Sequence, residues 1–335
     1  MTLNSSADKN LPAAISPHFA IGWRDIYDFL GEFGPYKGRY VARYPEAWMG
    51  DLRERIGEFA AEKLGPVGLQ ALKRKFEELD LCLVREKKWG WEDSKTWEGN
   101  ARDAIASDAV SVIIGNALDP APFGDWLSTL PRIRDTSRHS WLFRGRVSDY
   151  IDAIRPLLLN SPAAYFIDPY LDPLSDDCEN LLLLIFDLIK GSKCYSIELM
   201  VRQCAFNKRD VLSPKTWMPC TEIERRLREI YSEKIPASRS LIVHLVEGGT
   251  YGSDDMDNHD RFFLTRFGGI NFGRGFMFSE SKFRQRSAFV LDKDHHKAAW
   301  EIYSEGVARF HEAGPKKPTM PHPLSVETIK LSSLR

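Results

Sequence analysis

The sequence predicts an α/β protein built on a mixed sheet flanked by helices. Two observations carry this: apolar strand-like runs alternate with helical segments between residues 164 and 234, and three further strand-like runs follow without a helix between them. A second strand–helix–strand pattern in the first half of the chain adds another α/β region.

Ala164-Tyr165-Phe166-Ile167 reads as a buried strand stopped by Asp168-Pro169. Residues 179–190 (ENLLLLIFDLIK) are too apolar for any wide solvated face and predict a packed helix ended by Gly191. Residues 195–202 (YSIELMVR) alternate as a strand does. Residues 221–234 form a charged amphipathic helix, opened by a capping Thr221 with Glu224 three residues on. Residues 241–247 (LIVHLVE) supply a third strand, the segment at His259 a fourth, and residues 269–278 a fifth. A strand over 287–291 and a helix over 294–310 close the pattern.

The first half predicts strands at 38–44, 81–87 and 110–114, helices over 47–79 interrupted at Gly65-Pro66, and a helix over 96–107. An unrelated accessory domain is the first expectation; because the strand–helix–strand order matches, a degenerate copy of the second half is the alternative. Trp89, Trp91 and Trp97 stand near Lys87, Lys88 and Lys95, which suits either base stacking or ordinary packing. The expected organisation is a loose tail over 1–16, an α/β region over 17–155, a second over 156–312, and an extended Pro-rich tail over 313–335.

A net charge of −1 over 335 residues argues against whole-molecule attraction to nucleic acid or membrane. Local charge differs: from His259 to Arg286, six basic residues (Arg261, Arg266, Arg274, Lys282, Arg284, Arg286) face two acidic ones (Asp260, Glu280). Five cysteines without a CxxC pair, and the lack of a secretory pattern, lead us to expect a reducing, cytoplasmic location. The longest apolar run, Leu181 to Phe186, is too short for a transmembrane segment. Neither the adjacent His295-His296, read as surface histidines, nor the acidic Asp254, Asp255 and Asp257 satisfies a metal-ligand spacing, so no metal and no cofactor is expected. Walker, nucleophile-elbow and Rossmann spacings are also missing.

The candidate chemistry lies in His259-Asp260-Arg261, Gly268-Gly269 and Gly273-Arg274-Gly275-Phe276. Residues two apart on a strand share a face, so His259 and Arg261 would present imidazole and guanidinium together. A guanidinium can grip two phosphate oxygens, imidazole can donate or attack, and Gly273 and Gly275 let backbone N–H groups approach the anion. Asp168, at the end of the first strand, and Thr265 are expected to support these groups from behind.

With this spacing, residues 160–310 resemble the phospholipase-D-like C-terminal domain of MIT-domain-containing proteins. The resemblance rests on His259-Asp260-Arg261, Gly268, Gly273-Arg274-Gly275 with a large apolar residue next, and a preceding Tyr251/Ser253 loop. It implies a phospholipase-D-type fold that binds acidic phospholipid head groups and usually lacks catalysis. No MIT helical bundle precedes it, so a prokaryotic relative, of the kind found in phage-defence operons, fits better than the cellular role of the eukaryotic proteins. The wider superfamily uses two His-x-Lys pairs, each followed after four residues by an acid; one His attacks phosphorus and the other protonates the leaving oxygen. Here Arg261 replaces the Lys, Arg266 stands where the acid would be, and no other histidine among the eight heads a complete motif: His295-His296-Lys297 has the spacing, but Ile302 stands where its acid would be.

Three readings follow. The first is a non-catalytic module that binds a phosphate-bearing ligand, a nucleic-acid backbone or an acidic lipid head group, through Arg261, Arg274 and His259. The second is a phosphodiesterase or nuclease acting as a homodimer through two copies of His259. The third is a structural subunit of an antiviral defence complex.

Overall fold

A computed structural model describes residues 13–15, 31–37, 39–43, 49–54, 57, 64–81, 83–84, 90–107, 112–114, 140–203, 218–246, 261–276, 278, 286–305 and 326–333. The chain divides into two compact units, Met1–His139 and Ser140–Arg335. It is α/β throughout, with a parallel sheet in the first unit and a mixed sheet in the second.

In the first unit, β1 (Ala13–Ile15), β2 (Val41–Ala42), β3 (Leu83–Val84) and β4 (Val112–Ile114) form a parallel sheet in the order β3-β2-β1-β4. Parallel neighbours need crossovers, and α1 (Pro66–Asp80) and α2 (Trp97–Ala106) lie between successive strands in the chain. Pro66 opens α1 with its fixed φ, and Leu72, Phe76 and Leu79 make a single buried stripe. The 1–16 tail expectation is corrected at its end: the apolar triplet Ala13–Ile15 is a strand, bonded to β2 on one side and β4 on the other. Near α2, the Trp91 indole N–H donates to Asp93 Oδ1 at 2.8 Å, and Lys95 pairs with Glu92 and Asp103. Residues 85–89, with Trp89, lie outside the described residues.

The second unit contains β5 (Ser140–Phe143), α3 (Val147–Asn160), β6 (Ala163–Ile167), α4 (Asp176–Ile189), β7 (Ser196–Arg202), α5 (Cys220–Tyr231) and β8 (Ser240–Val246). It continues with β9 (Phe262–Thr265), β10 (Gly268–Asn271), β11 (Arg286–Val290), α6 (Lys293–Trp300) with a π-helical turn to Glu305, and β12 (Val326–Ser332). The eight strands run β12-β8-β7-β6-β9-β10-β11-β5, with β6, β7 and β8 parallel and every other neighbour pair antiparallel.

Strand alternation sorts β6 between two cores. Tyr165 and Ile167 face the layer of Phe262, Leu264, Leu291, Ala299 and Tyr303. Phe166 faces the other way, 5.0 Å from the Phe263 ring and 5.2 Å from Phe276, in an aromatic cluster that includes Phe143, Tyr150 and Phe272.

Four expectations change here. The boundary at 155/156 would cut α3; residues 140–160 belong to the second unit because β5 pairs with β11 and Tyr150 packs into the aromatic cluster. The predicted 313–335 tail contains β12, which pairs with β8 along its whole length and buries Leu331 completely. The capping box at Thr221 does not form: Pro219 is the N-cap, and Glu224 pairs with Arg228 one turn on. His296 is no surface residue; it is 3% exposed, and its Nε2–H donates to the Thr265 carbonyl at 2.8 Å, while His295 stays exposed beside Asp292. Among the described residues no helix is long and apolar enough to cross a membrane.

Candidate functional site

β6 lies between β7 and β9, so the residue that follows it is held by neighbours on both sides. Asp168 is that residue. Its backbone N–H donates to Met200 O at 3.1 Å, Pro169 ends the ladder, and its side chain is 3% exposed. One oxygen, Oδ1, accepts the Tyr170 N–H at 2.9 Å; the other, Oδ2, accepts the Phe276 N–H at 2.8 Å.

β9 runs antiparallel to β6 with Phe262 opposite Ile167, which brings Arg261 to the same edge as Asp168. Arg261 Nε lies 3.8 Å from Asp168 Oδ1, and Nη1 donates to Gly273 O at 3.2 Å. Its Cζ sits 5.5 Å from the Tyr170 ring centroid, and Arg202 approaches the same ring at 5.9 Å. Arg261 Nη2 makes no hydrogen bond among the described residues.

β10 delivers the glycine turn to this edge, since Asn271 pairs with Phe262 and the Phe272 N–H donates to Arg261 O at 2.8 Å. The Gly275 N–H closes the turn onto Phe272 O. Gly275 has φ +78°, and a Cβ there would lie far inside contact distance of Asp168 Oδ2 and Arg261 Cδ. The Tyr150 hydroxyl donates to Gly275 O at 3.0 Å, and Phe276 plugs into the aromatic cluster 4.8 Å from Phe272. The turn is thus fastened at four points: Arg261, Asp168, Tyr150 and the Phe276 ring.

Burial pushes the Asp168 carboxyl above the usual aspartate range, against the pull of the Tyr170 and Phe276 N–H donors and the Arg261 guanidinium. Arg261 offsets that carboxylate, whereas Arg274 at the turn is exposed and has no carboxylate partner among the described residues. The edge therefore offers an anion a fixed guanidinium, a second exposed guanidinium and a close backbone approach.

Asp168, Arg261, Gly273, Arg274 and Gly275 come together at this edge. His259 lies outside the described residues. Thr265 does not join them. It ends β9 at the opposite side of the sheet, where its hydroxyl donates to Gly268 O at 3.0 Å and accepts the Phe267 N–H across the Arg266-Phe267 turn. Tyr150, Tyr170 and Arg202 are site residues that sequence reasoning missed; only Tyr170 carried a signal, as the first aromatic after the Asp-Pro stop. No group of three His, Cys, Asp or Glu side chains able to hold a metal occurs among the described residues.

No family model matches this chain, and no curated protein matches it. Among solved structures it is similar to TrmBL2, described as an archaeal chromatin protein with a novel mode of DNA binding. Identity is 12%, coverage is 87% of this chain and 91% of that one, and the TM-score is 0.25. At that score the likeness carries no argument about fold or ligand.

Proposed function

We propose that the second unit is a phospholipase-D-like module that recognises a phosphate-bearing ligand and does not turn it over. The observation that supports this best is the junction of Gly275 with Asp168 and Arg261. A glycine in the left-handed region, with no room for a side chain, brings a backbone turn against a guanidinium that donates to the Gly273 carbonyl and lies 3.8 Å from a buried carboxylate. A fixed cation with a free N–H edge binds an anion without first losing side-chain freedom.

Two features favour binding over hydrolysis. Arg261 stands in place of the superfamily's lysine, and Arg266, at the position of the family's acid, sits in the hairpin turn at the far end of β9, away from Asp168. The other His-x-Lys triplet, His295-His296-Lys297, lies in α6, where residues two apart point about 200° apart, so it does not form a second strand-borne pair for general acid work.

The test pairs a binding assay with a hydrolysis assay. Wild type is expected to bind a fluorescent oligonucleotide or phosphatidic-acid vesicles, Arg261→Gln to bind at least tenfold more weakly, and neither to cleave bis-p-nitrophenyl phosphate. Cleavage by wild type that disappears in His259→Ala would replace this reading with the phosphodiesterase one. Unchanged binding of both ligands in Arg261→Gln would remove the phosphate site.

A further inference from the structure

The phosphate site occupies one position on a longer edge. β7, β6, β9, β10, β11 and β5 are adjacent in the sheet, and their registers align Arg202, Asp168, Arg261, the Gly273–Gly275 turn, Arg286 and Arg144 along it. Arg202 ends β7, where its backbone N–H bonds Pro169 O at 3.2 Å. Arg286 begins β11 opposite Phe143, and Arg144 follows Phe143 directly. Five strand spacings of about 4.8 Å carry this row across roughly 24 Å. A single head-group phosphate would engage only part of it.

The charge on this row is poorly compensated among the described residues. Among the described residues, Arg202, Arg274, Arg286 and Arg144 have no carboxylate partner; Asp168 answers Arg261, and Asp149 answers Arg146. Arg286 is only 5% exposed, and its Nε has no hydrogen-bond partner among the described residues. A buried guanidinium in that condition is costly until an anion approaches it.

Tyr170 supplies a different kind of contact. The residue is 40% exposed, its backbone N–H donates to Asp168 Oδ1, and the Arg202 and Arg261 guanidiniums lie 5.9 and 5.5 Å from its ring centroid. An exposed aromatic beside cations that track a chain of phosphates is the arrangement that holds unpaired bases.

We infer that the edge from Arg202 to Arg144 is a track for single-stranded nucleic acid, with successive phosphates on the arginines and a base stacked at Tyr170. This rests on the phosphate-recognition reading above and specifies its ligand. A linear row favours a polyanionic chain, and the aromatic favours one that carries bases over an acidic membrane surface.

Fluorescence anisotropy with labelled oligothymidylate, and with inorganic polyphosphate as competitor, tests it. Affinity is expected to fall with salt, and Arg202→Ala and Arg144→Ala are each expected to lower the log–log slope by about 0.7. Tyr170→Leu is expected to weaken oligothymidylate on the order of tenfold while leaving polyphosphate unchanged. Salt slopes unaltered in Arg202→Ala and Arg144→Ala, or equal loss of both ligands in Tyr170→Leu, would overturn the track. So would phosphatidic-acid vesicles bound as tightly as oligothymidylate with the same dependence on Arg202. If Arg261→Gln weakens polyphosphate while the slopes stay fixed, the phosphate site survives and the track does not.

Discussion

Asp168 Oδ2 accepts the backbone N–H of Phe276 at 2.8 Å, joining residues 108 positions apart in the chain. With Oδ1 on the Tyr170 N–H, one carboxylate holds both the end of β6 and the end of the glycine turn. Asp168→Ala leaves two N–H groups without their acceptor and Arg261 without its counter-charge. We expect a loss of about 1–3 kcal/mol for each N–H left buried and unpaired. Asp168→Asn keeps one acceptor oxygen and turns an NH2 toward a second donor, so it should fall between wild type and Asp168→Ala in chemical denaturation. Equal stability of all three proteins would show that the carboxylate does not fasten the turn.

Gly275 is the point where the turn has no tolerance. Its φ of +78° disfavours any side chain, and a Cβ would collide with both Asp168 and Arg261. Gly275→Ala is expected to destabilise the unit by more than about 1 kcal/mol and to lower phosphate affinity together with it, because the same displacement moves the guanidinium. Gly273 is a useful contrast. Among the described residues a Cβ there would meet Ser287 alone, at Oγ 3.3 Å and backbone O 3.9 Å, so Gly273→Ala should change stability far less in the same thermal melt.

Much of this architecture was readable in advance where an apolar run met clear punctuation. β6 stops at Asp168-Pro169, and α4 is followed by Gly191 at φ +81°, so both were legible. β5 was not, because four residues (SWLF) carry no periodicity and their partner β11 lies over 140 residues away. Pro156 inside α3 obscured that helix, and with it Tyr150. The Pro-rich stretch before β12 made a paired strand look like a tail. Thr265 shows a different limit: closeness to Arg261 in sequence could not tell which end of a four-residue strand it would occupy. His295 and His296 point about 100° apart on a helix, and only packing decides which one is buried.

β12 gives a direct check on the second unit's extent. Leu331 is fully buried opposite Leu241, and Ile329, 6% exposed, lies opposite Val243. Leu331→Ala is expected to cost about 2–5 kcal/mol, the range for deleting a core leucine's side chain, and should lower the melting temperature measurably. A dispensable tail would give no change.

His296 should make the second unit acid-sensitive. Its Nε2–H donates to Thr265 O at 2.8 Å, and burial holds its pKa below the ordinary imidazole value of 6.5. Between the folded and unfolded values the unfolded chain binds the extra proton, so stability rises with pH across that window. The contribution is complete above about pH 6.5 and is lost as the pH falls toward the folded value. His296→Gln can keep a donor for Thr265 O without titrating, and it should flatten the stability profile below about pH 6.5. His295→Gln is the control: that ring is exposed, and its partner Asp292 has its carboxyl held below the usual range mainly by the His295 N–H and side chain. A depressed carboxyl loses its contribution only at more acidic pH, so this variant should leave the higher window unchanged. Urea denaturation across the range distinguishes the two variants, and a slope that survives His296→Gln would place the acid sensitivity elsewhere.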